Sequence, residues 1–128
     1  MKKKKILVID DEEKTAELVK IQLELSGEYE VMIETRGSHG LSAAQKFKPD
    51  LILLDIIMPG RNGFKVLEDL KKDAKTMPIP VIMLTSLDDM QAKIKAAQQY
   101  NEGYLVKPVT KEALKAKIEE IFKMREGK

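Results

Sequence analysis

Hydrophobic residues fall in short runs of strand length that alternate with segments of helical period, five times along the chain. The first run, Lys5 to Ile9 (KILVI), is apolar enough for a strand buried on both faces. Behind it, Thr15 to Leu25 places Ala16, Val19 and Leu23, together with Leu18, Ile21 and Leu25, on one broad helical face, and Ser26-Gly27 closes that helix. Tyr29 to Thr35 alternates apolar and polar positions, as a strand with one less deeply covered side does. Ser38 is the expected N-cap of a second helix running to about Phe47, where Pro49-Asp50 breaks the pattern. Leu51 to Leu54 is continuously apolar and predicts a central parallel strand. A loop of turn formers, Met58 to Gly63, leads into a helix carrying Phe64, Leu67 and Leu70 on its core side. Pro78 and Pro80 bracket the approach to Val81 to Leu84, a further apolar strand, after which Asp88-Asp89 is placed to cap a helix reaching about Tyr100. Tyr104 to Val106 is the last strand. Thr110 caps the final helix, whose core stripe is Leu114, Ile118, Ile121 and Phe122.

Five β/α units predict an α/β fold: an open, doubly wound parallel sheet with helices on both faces, of the flavodoxin-like (βα)5 kind with strand order 2-1-3-4-5. One domain over residues 1–124 is expected, with 125–128 as a frayed tail. At 43% hydrophobic, a chain of 128 residues builds a core without a metal or disulfide staple. Twenty-three Lys and Arg against 21 Asp and Glu leave a net charge of +2, too balanced for a chain that grips nucleic acid by charge alone. The absence of cysteine excludes thiol nucleophiles and Cys-type zinc sites, and a lone His39 argues against a histidine metal cluster or a triad within the chain. Met1 to Lys5 is basic, but the apolar run behind it, Ile6 to Ile9, is too short for a secretory or membrane-spanning segment. The expectation is a cytoplasmic protein without a membrane partner, whose lysines are the solvated start of a strand.

The informative positions are those at which each apolar run stops. ILVI ends in Asp10-Asp11, LILL in Asp55, VIML in Thr85 and YLV in Lys107. In a parallel sheet these residues share the carboxyl edge, and with the order above the first and third strands are neighbours at the switch point where such folds bind ligands. Three crowded carboxylates raise the proton affinity of at least one of them unless a cation neutralises them. A hard divalent ion with oxygen ligands fits, and Mg²⁺ in particular shares its coordination between carboxylates and phosphoryl oxygens. Lys107 and Thr85 are then the donors for the remaining phosphoryl oxygens. Asp55, alone on the central strand, is the better nucleophile for phosphoryl transfer, while the Asp10-Asp11 pair suits the metal.

At these residues the sequence resembles the receiver domain of bacterial two-component response regulators. The resemblance spans Lys5 to about Met124 and rests on Asp10-Asp11, on Asp55 followed by Met58-Pro59 and Gly63, on Thr85, and on Lys107-Pro108. It implies a phosphoacceptor switch of a phosphorelay and not an enzyme with turnover. Asp55 would accept the phosphoryl group from a phosphohistidine on a sensor histidine kinase or histidine phosphotransfer protein. Asp10, Asp11 and Asp55, with the backbone carbonyl of Ile57, would hold Mg²⁺, Asp11 as the direct ligand of the pair. Thr85 would bond a phosphoryl oxygen on the modified Asp55, and Tyr104 would turn inward as that hydroxyl moves. Lys107-Pro108 corresponds to the family's cis peptide. The output would be altered binding to an unidentified downstream protein, with no direct nucleic-acid contact by this chain. Asn101-Glu102-Gly103 and Gly60-Arg61-Asn62 depart from the family's usual acidic or alanine-containing loops, near surfaces that choose partners. Ile57 and Leu87, two residues beyond Asp55 and Thr85, flank the family's path for the hydrolytic water, and their apolar bulk predicts a long-lived acyl phosphate. An alternative use of the same acids is a Mg²⁺-dependent phosphohydrolase acting on a small-molecule phosphate. A flavin or nucleotide carrier is disfavoured, since Asp10-Asp11 stands where a glycine-rich phosphate loop would be needed.

Overall fold

The computed structural model describes residues 2–56, 58, 62–86 and 103–126. The apolar runs become five parallel strands, β1 (Lys4–Ile9), β2 (Tyr29–Glu34), β3 (Leu51–Asp55), β4 (Val81–Ser86) and β5 (Gly103–Lys107), in the order β2-β1-β3-β4-β5. Strand side chains alternate between the two faces, so each central strand feeds two cores. Leu7 and Ile9, Ile52 and Leu54, and Val81 and Met83 pack on one face against α2 (Gly40–Phe47) and α3 (Gly63–Lys72). Ile6 and Val8, Leu51 and Leu53, and Ile82 and Leu84 pack on the other against α1 (Glu13–Glu24) and the last described helix, α4 (Lys111–Glu126). Continuous hydrophobicity in β1, β3 and β4 is thus the signature of strands covered on both sides, whereas β2 alternates because its second face is open at Glu30 and Met32. The helix expected over residues 88–100 lies outside the described residues.

Helix ends follow local chemistry. Gly27, at φ 78°, lets the chain leave α1 while its N–H donates to the Glu24 carbonyl at 3.0 Å. Asn62 Oδ1 accepts from the Lys65 N–H at 3.0 Å and caps α3, and Thr110 Oγ1 does the same for the Ala113 N–H at 3.1 Å, as expected of that threonine.

Three expectations change. On α1 only Ala16, Val19 and Leu23 are buried, while Leu18, Ile21 and Leu25 are 55%, 57% and 71% exposed. Both sets have the same i, i+3, i+7 spacing, but they are offset by two residues, or about 200° around a helix, so only one can face the sheet. Ser38 does not cap α2: it lies in a short 3₁₀ turn, Gly37–His39, and α2 starts at Gly40 with no side-chain cap. Packing sets that start instead, because a Cβ on Gly40 would come within 3.0 Å of Val66 and 3.1 Å of Ile9. Finally, α4 continues past Met124 to Glu126, and Arg125 donates to the Pro78 carbonyl at 2.8 Å, tying the helix to the segment before β4.

Candidate functional site

The register of the sheet decides which strand ends meet. Ile9 pairs with Leu54 and Asp55 with Leu84, so the residues just beyond β1 and at the tip of β3 lie side by side at the carboxyl edge. Thr85 pairs with Val106 and Ser86 with Lys107, which brings β5 to the same edge. Asp10 is completely buried, Asp55 is 5% exposed and Thr85 1% exposed. Charges this deep require partners. Asp10 Oδ1 accepts from the Glu12 N–H at 3.0 Å, and its Oδ2 accepts from Lys107 Nζ at 2.9 Å. The same ammonium lies 3.4 Å from Asp55 Oδ1 and 3.4 Å from Glu12 Oε1.

Electrostatics follow from this crowding. Burial, then the neighbouring charge of Asp10, push the Asp55 carboxyl up to about 7, even though Lys107 pulls it down. Burial alone would draw the Lys107 ammonium down, but its hydrogen bond to Asp10 and the charges of Asp55, Asp10 and Glu12 outweigh this and hold it above its usual range. Asp10, Asp11 and Asp55 each offer a carboxylate oxygen within 4.8 Å of the others, an all-oxygen donor set of the kind a hard divalent cation takes. A carboxyl pushed up by burial and then by a like charge is the electrostatic state that such a cation relieves.

The structure therefore brings together Asp10, Asp11, Asp55 and Lys107, with Thr85 buried at the same edge. Tyr104 sits on β5, three residues before Lys107, with 42% of its surface exposed. The Lys107-Pro108 peptide is cis. Ile57 and Leu87 lie outside the described residues. The sequence did not reveal the part of Glu12 or the close packing at Gly63, a residue already among those that carry the family resemblance. Glu12, third in the acidic row beginning at Asp10, shares Lys107, and the row itself was the available signal. Gly63 is more than a loop residue: a Cβ there would lie 2.7 Å from Ile56 Cα and closer still to the Asp55 carbonyl oxygen, while its N–H donates to the Ile56 carbonyl at 2.6 Å. Gly63 comes this close to the backbone of Asp55 only because it has no side chain.

Comparison with known proteins agrees with this geometry. The chain is 39% identical over 110 residues to Protein PilH of Pseudomonas aeruginosa, covering 86% of this chain and 90% of that one. It is 38% identical over 119 residues to the DNA-binding dual master transcriptional regulator RpaA of Synechocystis, covering 93% of this chain and 49% of that protein. The chain spans about half the length of several other curated relatives it matches. Among solved structures, the response regulator receiver domain protein of Clostridium thermocellum superposes with a TM-score of 0.86 at 32% identity, covering 96% and 97% of the two chains. The Vibrio cholerae chemotaxis protein CheY4 superposes with a TM-score of 0.85 at 28% identity, covering 93% and 98%. The sequence profile of the response regulator receiver domain matches residues 6–119, and the chain belongs to that family of two-component signalling domains.

Proposed function

We propose that Asp55 is the phosphoacceptor of a switch that takes its phosphoryl group from the phosphohistidine of a sensor histidine kinase or histidine phosphotransfer protein. The observation that carries this reading is the carboxyl-edge cluster, in which one ammonium, Lys107, reaches both Asp10 and Asp55 at 2.9 Å and 3.4 Å. In the transfer, an Asp55 carboxylate oxygen bonds to phosphorus as the P–N bond to the imidazole breaks; the electron pair leaves with the imidazole nitrogen, which then takes up a proton. Asp10, Asp11 and Asp55, with the Ile57 carbonyl, would hold Mg²⁺. When bound, that ion neutralises the crowded carboxylates and the incoming phosphoryl oxygens. Lys107, which lies against both Asp10 and Asp55, would turn to a phosphoryl oxygen and contribute a charge-assisted hydrogen bond. The Thr85 hydroxyl donates to another.

Signalling then depends on a two-state element. Tyr104 is exposed beside Thr85's strand, and movement of the Thr85 hydroxyl toward the phosphoryl group opens the space into which the ring turns. The changed surface binds a downstream protein. The place of action is the cytoplasm; none of the described helices is long and apolar enough to cross a membrane. A phosphohydrolase is not supported, since the matched relatives are regulators. Incubation with a small acyl phosphate and Mg²⁺, followed by intact mass, tests the reading: one phosphoryl adduct that is lost in Asp55→Asn is expected. Modification of the Asp55→Asn chain at the same site would overturn it, and so would steady phosphate release with no adduct.

A further inference from the structure

At the outer edge of β2 an open strand edge meets a specific side-chain arrangement. Ladder partners to β1 come from the even-numbered residues, since the Lys4 N–H donates to the Glu28 carbonyl and the Asp10 N–H to the Glu34 carbonyl at its two ends. In a parallel pair successive residues alternate, so the N–H and C=O groups of Tyr29, Val31 and Ile33 point away from β1 into the open edge. The segment Tyr29 to Ile33 (YEVMI) is rich in strand-forming residues, and such an edge templates a further strand. Its central residue is nevertheless taken. The Val31 N–H donates to Glu24 Oε2 at 3.0 Å, and the Val31 carbonyl accepts from Lys20 Nζ at 3.0 Å. Lys20 and Glu24 stand one turn apart on α1, 3.8 Å from each other, so a single helical pair fills both hydrogen-bonding positions of the middle of the edge.

We propose that Lys20 and Glu24 form a plug that closes the β2 edge to strand addition by a second copy of this chain. The second copy is the fitting occupant because the edge is self-complementary about Val31. An antiparallel pairing of two β2 strands centred there makes Val31 exchange both its bonds with its symmetry mate and sets Tyr29 against Ile33 on each side. Between those pairs Glu30 falls opposite Met32, so no like charges meet at the centre. The two atoms at the heart of that two-fold pairing are the two the plug occupies. An ordinary helix-surface ion pair needs neither contact.

The test uses the whole chain, with Lys20→Ala/Glu24→Ala and the swapped Lys20→Glu/Glu24→Lys beside the wild type. The swap keeps an i,i+4 ion pair on α1, but a carboxylate at 20 cannot donate to the Val31 carbonyl and an ammonium at 24 cannot accept from its N–H. Light scattering over a concentration series is expected to give the monomer mass for the wild type and a rise toward twice that mass for both variants. Adding Ile33→Pro to either variant is expected to restore the monomer, because it removes an outward N–H without touching the β1 ladder. At dilutions where every form is monomeric, the Val31 amide is expected to exchange with solvent at least about ten-fold faster in both variants. Variants that stay monomeric across the concentration series, an unchanged Val31 exchange, a swap that behaves as the wild type, or association that survives Ile33→Pro would each overturn the proposal. Far-UV circular dichroism establishes that the variants compared are folded.

Discussion

Replacing Asp55 by asparagine keeps the shape of a nearly buried side chain and removes its charge, and the sign of the effect on stability is opposite to that of most aspartates. Burial first and Asp10 second hold the folded-state carboxyl at about 7, whereas in an unfolded chain it ionises near 3.8. Between those values the native state binds more protons than the unfolded state, so stability falls as the pH rises through that window and is level above it. A gap of about three pH units at 1.36 kcal/mol each puts a ceiling of about 4 kcal/mol on the destabilisation at pH 8. Solvent at the mouth of the cleft discounts this, leaving about 2–4 kcal/mol as the expected gain of Asp55→Asn over the wild type in chelator at pH 8. The gain should shrink toward zero by about pH 4, where the wild-type carboxyl is protonated in the folded chain and half-protonated in the unfolded one. With three tyrosines and no tryptophan, the transition is best followed by far-UV circular dichroism in urea. Mg²⁺ in hundred-fold excess over its dissociation constant should return about 2.7 kcal/mol to the wild type and close most of the gap. The reasoning fails if the variant is no more stable than the wild type at pH 8 in chelator, or if its advantage is the same at pH 4 and pH 8.

Other outcomes follow from the same site. Lys107→Met strands the fully buried Asp10 carboxylate without a cation, so urea titration in chelator should show a loss of about 3 kcal/mol, with much of it recovered in Asp10→Asn/Lys107→Met. Gly63→Ala forces a methyl group against the Asp55 and Ile56 backbone; a loss of about 2–3 kcal/mol is expected, together with slower modification by a small phosphodonor, read by intact mass. The apolar pair Ile57 and Leu87 should exclude the hydrolytic water, giving an acyl phosphate that outlasts minutes in Mg²⁺ buffer; decay of the adduct within seconds would refute this.

Much of the candidate site was legible because each of its strand-end polar groups closes an apolar run, and a parallel sheet necessarily puts such ends on one edge. Asp10, Asp55, Thr85 and Lys107 needed only the ends of the apolar runs and the strand order to be placed together. What escaped depended on longer side chains or on closeness of backbone. Glu12 joins through the reach of Lys107, which strand periodicity does not encode, and Gly63 matters through its approach to the Asp55 and Ile56 backbone. The face expected of α1 was too broad for a different reason: Leu18, Ile21 and Leu25 repeat with the same spacing as the true core stripe, so period alone did not separate the two sets. At Ser38 a capping residue type was present, but the tight approach of Gly40 to Ile9 and Val66 set where the helix starts.

The bond between Lys107 and Asp10 joins residues 97 positions apart, nearly the whole described chain. Because both acids precede their counterion along the chain, a polypeptide that stops before β5 carries the acids without the ammonium. The candidate pocket is in this sense assembled only once the fifth strand has docked: a chain without β5 has the acids but lacks the ammonium that Asp10 and Asp55 share.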